Sequence, residues 1–128
     1  MPIKDSKNDF EIVPSILPEA VTASKTGAAV DIRGFNSVTV SLTATTASVG
    51  GTFKLTESAT VGGSYTDVVA ADIIGTQGVA AVEDKTVTLG YVGGLDFIKA
   101  VFTHSADGVI SADVIKSLPL VGKTGANG

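Results

Sequence analysis

The side chains with the most obvious chemical potential lie close together near residue 104, where the chain holds its single histidine. His104, Ser105 and Asp107 are the residue types of a nucleophilic triad, in which a base activates a hydroxyl and an acid orients the base. A triad needs these groups to converge from separated positions, beside donors for an oxyanion. Neighbours in one loop do not meet that need, and Ser and Asp in turns commonly bond the backbone of the turn. We therefore predict a turn here, and a protein that is not an enzyme.

Two other patterns suggest ligands, and each departs from its motif. Gly122-Lys123-Thr124 matches the end of a phosphate-binding P-loop, but Ser117 stands where the first glycine belongs. Carboxylates that could surround calcium are Asp67, Asp72, Glu83, Asp84 and Asp96. Their spacing follows no EF-hand loop, and acidic residues near strand ends are normally solvated. The sequence predicts no cofactor and assigns no metal site, with calcium binding by these carboxylates kept as a minor alternative.

Tyr65 and Tyr91 are candidates for a platform that stacks on sugar rings. The chain has two tyrosines and no tryptophan, so the supply of rings for such a platform is small. Cross-strand packing is the favoured use of both rings. A glycan-binding module nevertheless remains an alternative.

Charge and hydropathy exclude several classes of partner. The formal net charge is −4 and the nine Lys and Arg residues are scattered, whereas nucleic-acid binding needs clustered cations. No window approaches the roughly 20 apolar residues of a membrane-spanning helix. The segment 1–9 is too polar for a secretory signal. We expect a protein made in the cytoplasm that binds neither nucleic acid nor membrane.

The elements that carry these residues are predicted to be β-strands. Apolar residues alternate with hydroxyl residues from Ser37 to Thr45, which puts Val38, Val40 and Leu42 on one face of a strand. About eight short runs of this kind recur at roughly 8–12-residue intervals, and no segment has a helical period. The sequence predicts an all-β protein, an antiparallel β-sandwich or jelly-roll-like barrel.

Turn residues predict three hairpins. Gly62-Gly63 would reverse the chain within 52–69, Lys25-Thr26-Gly27 would join 20–24 to 28–32, and Asp107-Gly108 would join 96–104 to 109–116. The run 96–104 is apolar on both faces, apart from Lys99, which predicts a central strand buried on both sides.

The start of the chain is predicted to be an extended arm. Pro14 and Pro18 favour extended backbone and exclude a helix in this stretch. We assign 1–19 to the arm, 20–120 to the sandwich and 121–128 to a flexible Gly-rich tail. An apolar arm must lie on something, which is either the edge of its own sandwich or a neighbouring subunit. The residues expected to make capsid or inter-subunit contact are Phe10, Ile12, Val13, Ile16 and Leu17.

Three stretches resemble a recurrent pattern. One is Phe-Lys-Leu-Thr-Glu-Ser at 53–58, followed by Gly-Gly-Ser at 62–64 and Tyr-Thr-Asp-Val at 65–68. The others are 30–38, Val-Asp-Ile-Arg-Gly-Phe-Asn-Ser-Val, and 89–93, Leu-Gly-Tyr-Val-Gly, before the apolar strand at 97–102. Together they resemble small structural proteins encoded among the head genes of tailed bacteriophages.

The resemblance implies a virion protein, and within it a decoration (cement) protein on the outer surface of the head. Its partner would be the major capsid protein, whose subunits many copies would bridge against the pressure of packaged DNA. A homo-oligomer is implied, and we expect a trimer at three-fold positions. The alternatives are a tail or head-tail connector component and a surface glycan-binding module.

Overall fold

A computed structural model describes residues 10–45, 51–82, 84–105 and 107–119. These residues form eleven β-strands and one 3-10 turn at Ala70–Asp72, with no α-helix among them. The strands are β1 Phe10–Val21, β2 Lys25–Thr26, β3 Val30–Asp31, β4 Phe35–Ala44, β5 Thr52–Ser58, β6 Thr66–Asp67, β7 Ile73–Ile74, β8 Val79–Ala80, β9 Lys85–Tyr91, β10 Phe97–Thr103 and β11 Gly108–Pro119. The six strands of seven or more residues build the framework, and five strands of two residues bring the total to eleven, against about eight predicted.

Two antiparallel sheets pack face to face, so the predicted all-β sandwich is confirmed. The five-stranded sheet has the order β1-β11-β4-β9-β7. The six-stranded sheet has the order β2-β10-β5-β6, with β3 also beside β10 and β8 beside β5. The apolar inner faces of both sheets form one core, because an extended strand offers alternate side chains to each side.

The alternation predicted for β4 is confirmed. Val38, Val40, Leu42 and Ala44 are buried, and the hydroxyl residues between them point away from the core. The hairpin within 52–69 is also confirmed, since β5 pairs antiparallel with β6.

The other two predicted hairpins are wrong. β1 continues to Val21 in the five-stranded sheet, whereas β2 and β3 both pair with β10 in the six-stranded sheet. The Asp107-Gly108 turn also connects the two sheets, because β10 pairs with β5 while β11 pairs with β4. The Asp107-Gly108 turn is followed by a strand of the opposite sheet. The turn predicted at Lys25-Thr26-Gly27 is absent, because Lys25 and Thr26 form β2, which runs along β10 in the same direction as β3.

The prediction that 96–104 is buried on both faces is wrong, although its central position is right. Ile98, Ala100 and Phe102 are fully buried, while Phe97 and Val101 on the opposite face are half-buried. The second face of β10 belongs to the outer surface of the sandwich.

The part of the predicted arm that the structure describes, from residue 10 onward, belongs to the sandwich. Residues 10–21 form β1, the edge strand of the five-stranded sheet, which passes the predicted boundary at residue 19. Of the two places expected for the arm, it takes the edge of its own sandwich. Residues 1–9 and the predicted tail at 121–128 lie outside the described residues.

One side chain completes the six-stranded sheet. β8 pairs with Thr52 and Phe53, and β6 pairs with Thr56 and Glu57, which leaves a gap at Leu55. The Gln77 amide accepts a hydrogen bond from the Leu55 N–H at 2.9 Å and donates to the Leu55 carbonyl at 2.8 Å. It therefore bonds β5 as a strand would.

Candidate functional site

The five arm residues predicted to contact a partner fall into two groups. Ile16 is 1% exposed in the protein's own core, and Val13 packs against that core. Ile12 and Leu17 are 52% and 63% exposed, and Phe10 is half-buried. Ile12 and Leu17 therefore have apolar surface to offer a partner, whereas Ile16 has none.

The strand β1 is fixed to both sheets. Register shifts on either side of Ile16 turn Ser15 inward, where it is 5% exposed. The Ser15 hydroxyl donates to the Ala28 carbonyl at 2.8 Å and accepts from the Ala100 N–H of β10 at 3.1 Å. The Ala28 N–H donates to the Ser15 carbonyl at 2.7 Å. These bonds anchor β1 to both sheets two residues before Leu17.

The outer face of the five-stranded sheet continues from Ile12 across the whole sheet. We call it the hydroxyl face, and strand register assigns to it Phe10, Ile12, Pro14, Ser37, Thr39, Ser41, Thr43, Ile74, Thr86, Thr88, Gly90, Ser111, Asp113, Ile115 and Ser117. Asp113 is the one charged residue in this set. Thr43 and Thr86 bond each other across β4 and β9, with 2.9 Å between their hydroxyl oxygens.

A depression of about 250 Å³ interrupts the hydroxyl face at Gly90. Ser37, Thr39, Thr88 and Ile74 line it. A side chain at Gly90 would approach Ile74, whose Cβ lies 3.0 Å from the position a Cβ would take. The missing side chain therefore makes the depression, and Ile74, at 65% exposure, forms part of its wall.

The outer face of the six-stranded sheet has a different chemistry. We call it the charged face, formed by Asp31, Lys54, Asp67, Lys99 and the flanking Arg33. Lys54 pairs with Asp67 at 2.9 Å, and the Lys99 ammonium lies 4.1 Å from the centroid of the Tyr65 ring. The charges of this face thus have partners within the chain.

Arg33 and Asp31 form the closest ion pair of the charged face. The guanidinium donates to both carboxylate oxygens, at 3.0 and 2.7 Å, and stands over the Phe97 ring. Hydrogen bonding to Arg33 lowers the pKa of Asp31 from 3.8 to about 2, because it favours the charged carboxylate.

A polar cluster lies at the end of the core near residues 91–96. The Tyr91 hydroxyl donates to Glu57 at 2.7 Å and accepts from the Leu95 N–H at 3.1 Å. Burial, and then the bond to Glu57, raises the pKa of Tyr91 above its ordinary value. Tyr91 is 4% exposed, so it has no ring face for the sugar stacking considered from the sequence.

Lys116 lies buried at the same end of the core. Its ammonium donates to the Asp31 carbonyl at 2.9 Å, lies 3.3 Å from a Glu11 carboxylate oxygen and stands over the Phe35 ring. Sequence reasoning did not identify it, because it occupies an alternating apolar position of β11. The one available signal was a lysine at a position where the period predicts a core residue.

The remaining candidate residues are not gathered into a catalytic or metal site by the part of the chain that the structure describes. His104 Nε2 lies 2.7 Å from an Asp107 carboxylate oxygen, and the His104 backbone N–H donates to the Ser24 hydroxyl. The described residues contain no group of three or more His, Asp or Glu placed to hold a metal ion. Glu83 and Gly122-Lys123-Thr124 lie outside the described residues.

Comparison with protein-family models finds no match, and neither do comparisons with curated proteins and with solved structures. In the described ranges, no helix is long and apolar enough to cross a membrane. The class that the fold defines is an antiparallel β-sandwich, and the candidate site is the hydroxyl face, with Asp113 as its one charge, together with the exposed side chains of the edge strand β1.

Proposed function

We propose that this protein is a virion structural protein that decorates the outer surface of a phage head and bridges major capsid subunits. The observation that carries the proposal is the edge strand β1, which holds Ile12 and Leu17 exposed while Ser15 and Ile16 fasten it to the core. The sequence resemblance to phage head proteins supplies the identity of the partner.

The arrangement suits adhesion to a preformed surface. An apolar side chain on a rigid strand loses little conformational freedom on binding, so more of its burial contributes to affinity. Burying an Ile or Leu side chain contributes about 1.5–3 kcal/mol. A protein that binds only the assembled shell stabilises that shell by mass action, and no chemical step is needed.

Two alternative functions from the sequence have less support. A sugar platform built from Tyr65 and Tyr91 would lack its second ring, since Tyr91 is buried. A tail or head-tail connector component could have the same sandwich fold. Binding experiments distinguish this role from decoration, because a connector or tail component would not bind the outer surface of expanded heads.

The test is co-sedimentation with expanded, undecorated heads assembled from the major capsid protein of the same genome, with unexpanded procapsids for comparison. We expect saturable binding to expanded heads, in copy numbers that match their symmetry. Binding to neither particle contradicts the proposal and favours the tail or glycan alternatives. The expected trimer is checked separately by the mass of the protein in solution.

Point variants show whether β1 makes the contact. Deleting the arm would remove Ser15 and Ile16 from the fold, so single substitutions are more informative. Ile12→Glu and Leu17→Glu should each weaken head binding at least tenfold, equivalent to about 1.4 kcal/mol. Val61→Glu is the matched control, because Val61 is 61% exposed in the loop between β5 and β6, strands of the other sheet. If all three variants bind heads with the same affinity, β1 does not make the contact.

A further inference from the structure

The hydroxyl face carries fewer charges than the outer face of the other sheet. Its outward side chains are hydroxyl, aliphatic or aromatic residues with Asp113 as the single charge. Soluble surfaces usually carry roughly 25–35% charged residues, and the fully buried centre of a protein interface is depleted in charge. The composition of this face therefore fits contact with another protein.

The opposite face gives the comparison within the same molecule. On the charged face, Lys54, Lys99 and Arg33 each have a partner within the chain, and their charges remain at the surface. Covering that face would desolvate these charges, whereas covering the hydroxyl face would desolvate only Asp113. The free-energy cost of docking is lower on the hydroxyl face.

The side chains of the hydroxyl face are also short. Ser and Thr lose less rotamer freedom on being covered than Lys, Arg or Glu do. Each hydroxyl can donate or accept a hydrogen bond, so it adapts to either kind of group on a partner. Phe10, Ile12 and Ile115 add apolar surface at one edge of the face, and Ile74 adds it at the other.

The depression at Gly90 makes part of the hydroxyl face concave. At about 250 Å³ it is smaller than the roughly 300–1,000 Å³ of small-molecule pockets, which suits one inserted side chain of a protein partner. The hydroxyls of Thr39 and Thr88 and the aliphatic Ile74 line it, so the inserted side chain should be uncharged.

We propose that the hydroxyl face is the shell-binding surface, and that its occupant is a low-charge surface of the major capsid protein. This inference rests on the proposed function. Its physical basis is continuity, since Ile12 of β1 lies opposite Ile115 within the same face, so a subunit that contacts β1 also reaches the sheet. The charged face then points away from the shell, toward solvent.

The test compares one substitution on the two faces. Thr88→Lys introduces a charge on the hydroxyl face, and Thr103→Lys introduces the same charge at an exposed, outward position of β10 on the other sheet. Ile74→Lys is a second variant on the hydroxyl face, in case Thr88→Lys does not fold. Folding is checked by circular dichroism and urea denaturation. Affinity for expanded heads is then measured by co-sedimentation over a range of protein concentrations.

We expect Thr88→Lys and Ile74→Lys to weaken head binding at least tenfold, because a buried, unpaired charge is costly at an interface, and Thr103→Lys to bind as the wild type does. If the wild type binds heads and all three variants bind equally, the inference is wrong and the decoration role stands. If the wild type binds no heads, both proposals fall. If Thr88→Lys instead breaks an oligomer in solution and still binds heads, the face is a subunit interface and the inference is overturned.

Discussion

Replacing Gln77 by leucine should destabilise the sandwich far more than its position in a surface loop suggests. The Gln77 amide makes three hydrogen bonds, two to the backbone of Leu55 and one, at 3.0 Å, to the Val68 carbonyl. Leucine keeps a similar volume but can make none of them. The Leu55 N–H would then lose its hydrogen-bond partner, and Leu55 is itself fully buried.

The magnitude follows from these bonds. Each intramolecular hydrogen bond contributes about 0.5–1.5 kcal/mol, and a buried donor left without a partner costs about 1–3 kcal/mol. The Val68 N–H still donates to the Leu55 carbonyl at 3.1 Å, so that carbonyl keeps one bond. We expect Gln77→Leu to lower the free energy of unfolding by about 2–4 kcal/mol, and the melting temperature by about 4 °C for each kcal/mol.

The assay is equilibrium urea denaturation of the wild type, of Gln77→Leu and of a matched control, Thr76→Leu. Thr76 is exposed and lies next in the chain, so its substitution should change the free energy of unfolding by less than about 0.5 kcal/mol. If Gln77→Leu also changes it by less than about 0.5 kcal/mol, Gln77 does not complete the six-stranded sheet and this reasoning is refuted.

Two further substitutions test the core and its polar end. Gly51→Ala should cost more than about 2 kcal/mol, because its Cβ would overlap the Phe102 ring, while Gly62→Ala, with open space around it, should be nearly neutral in the same denaturation assay. Tyr91→Phe should cost about 1–2 kcal/mol near neutral pH, since it removes the bond to Glu57. The raised pKa of Tyr91 means that its contribution is complete below pH 10 and is lost as the pH rises through the folded-state pKa. The wild type should therefore lose more stability than Tyr91→Phe between pH 9 and pH 12, and equal slopes would contradict this assignment.

The candidate site was only partly accessible to sequence reasoning. The apolar residues of 10–17 were identified as an unusual extended segment, but which of them point outward depends on the register shifts around Ile16. Those shifts turn Ser15 inward to bond β10, a strand 85 positions away in the chain. The hydroxyl face was visible within β4 alone, and its width depends on which strands lie beside β4.

Sequence alone determined the features that depend on neighbouring residues. Alternation with a period of two follows from strand geometry, so the buried and exposed sides of β4 could be assigned from its residues. Turn residues likewise predicted the reversal between β5 and β6. Tertiary structure decided which strands pair, since Asp107-Gly108 joins two sheets and not two neighbouring strands. A turn sets only local backbone direction, whereas pairing is chosen by how distant apolar faces pack into one core. That choice put Lys116 among buried residues, Gln77 beside Leu55, and fifteen outward positions from five strands onto one nearly uncharged face.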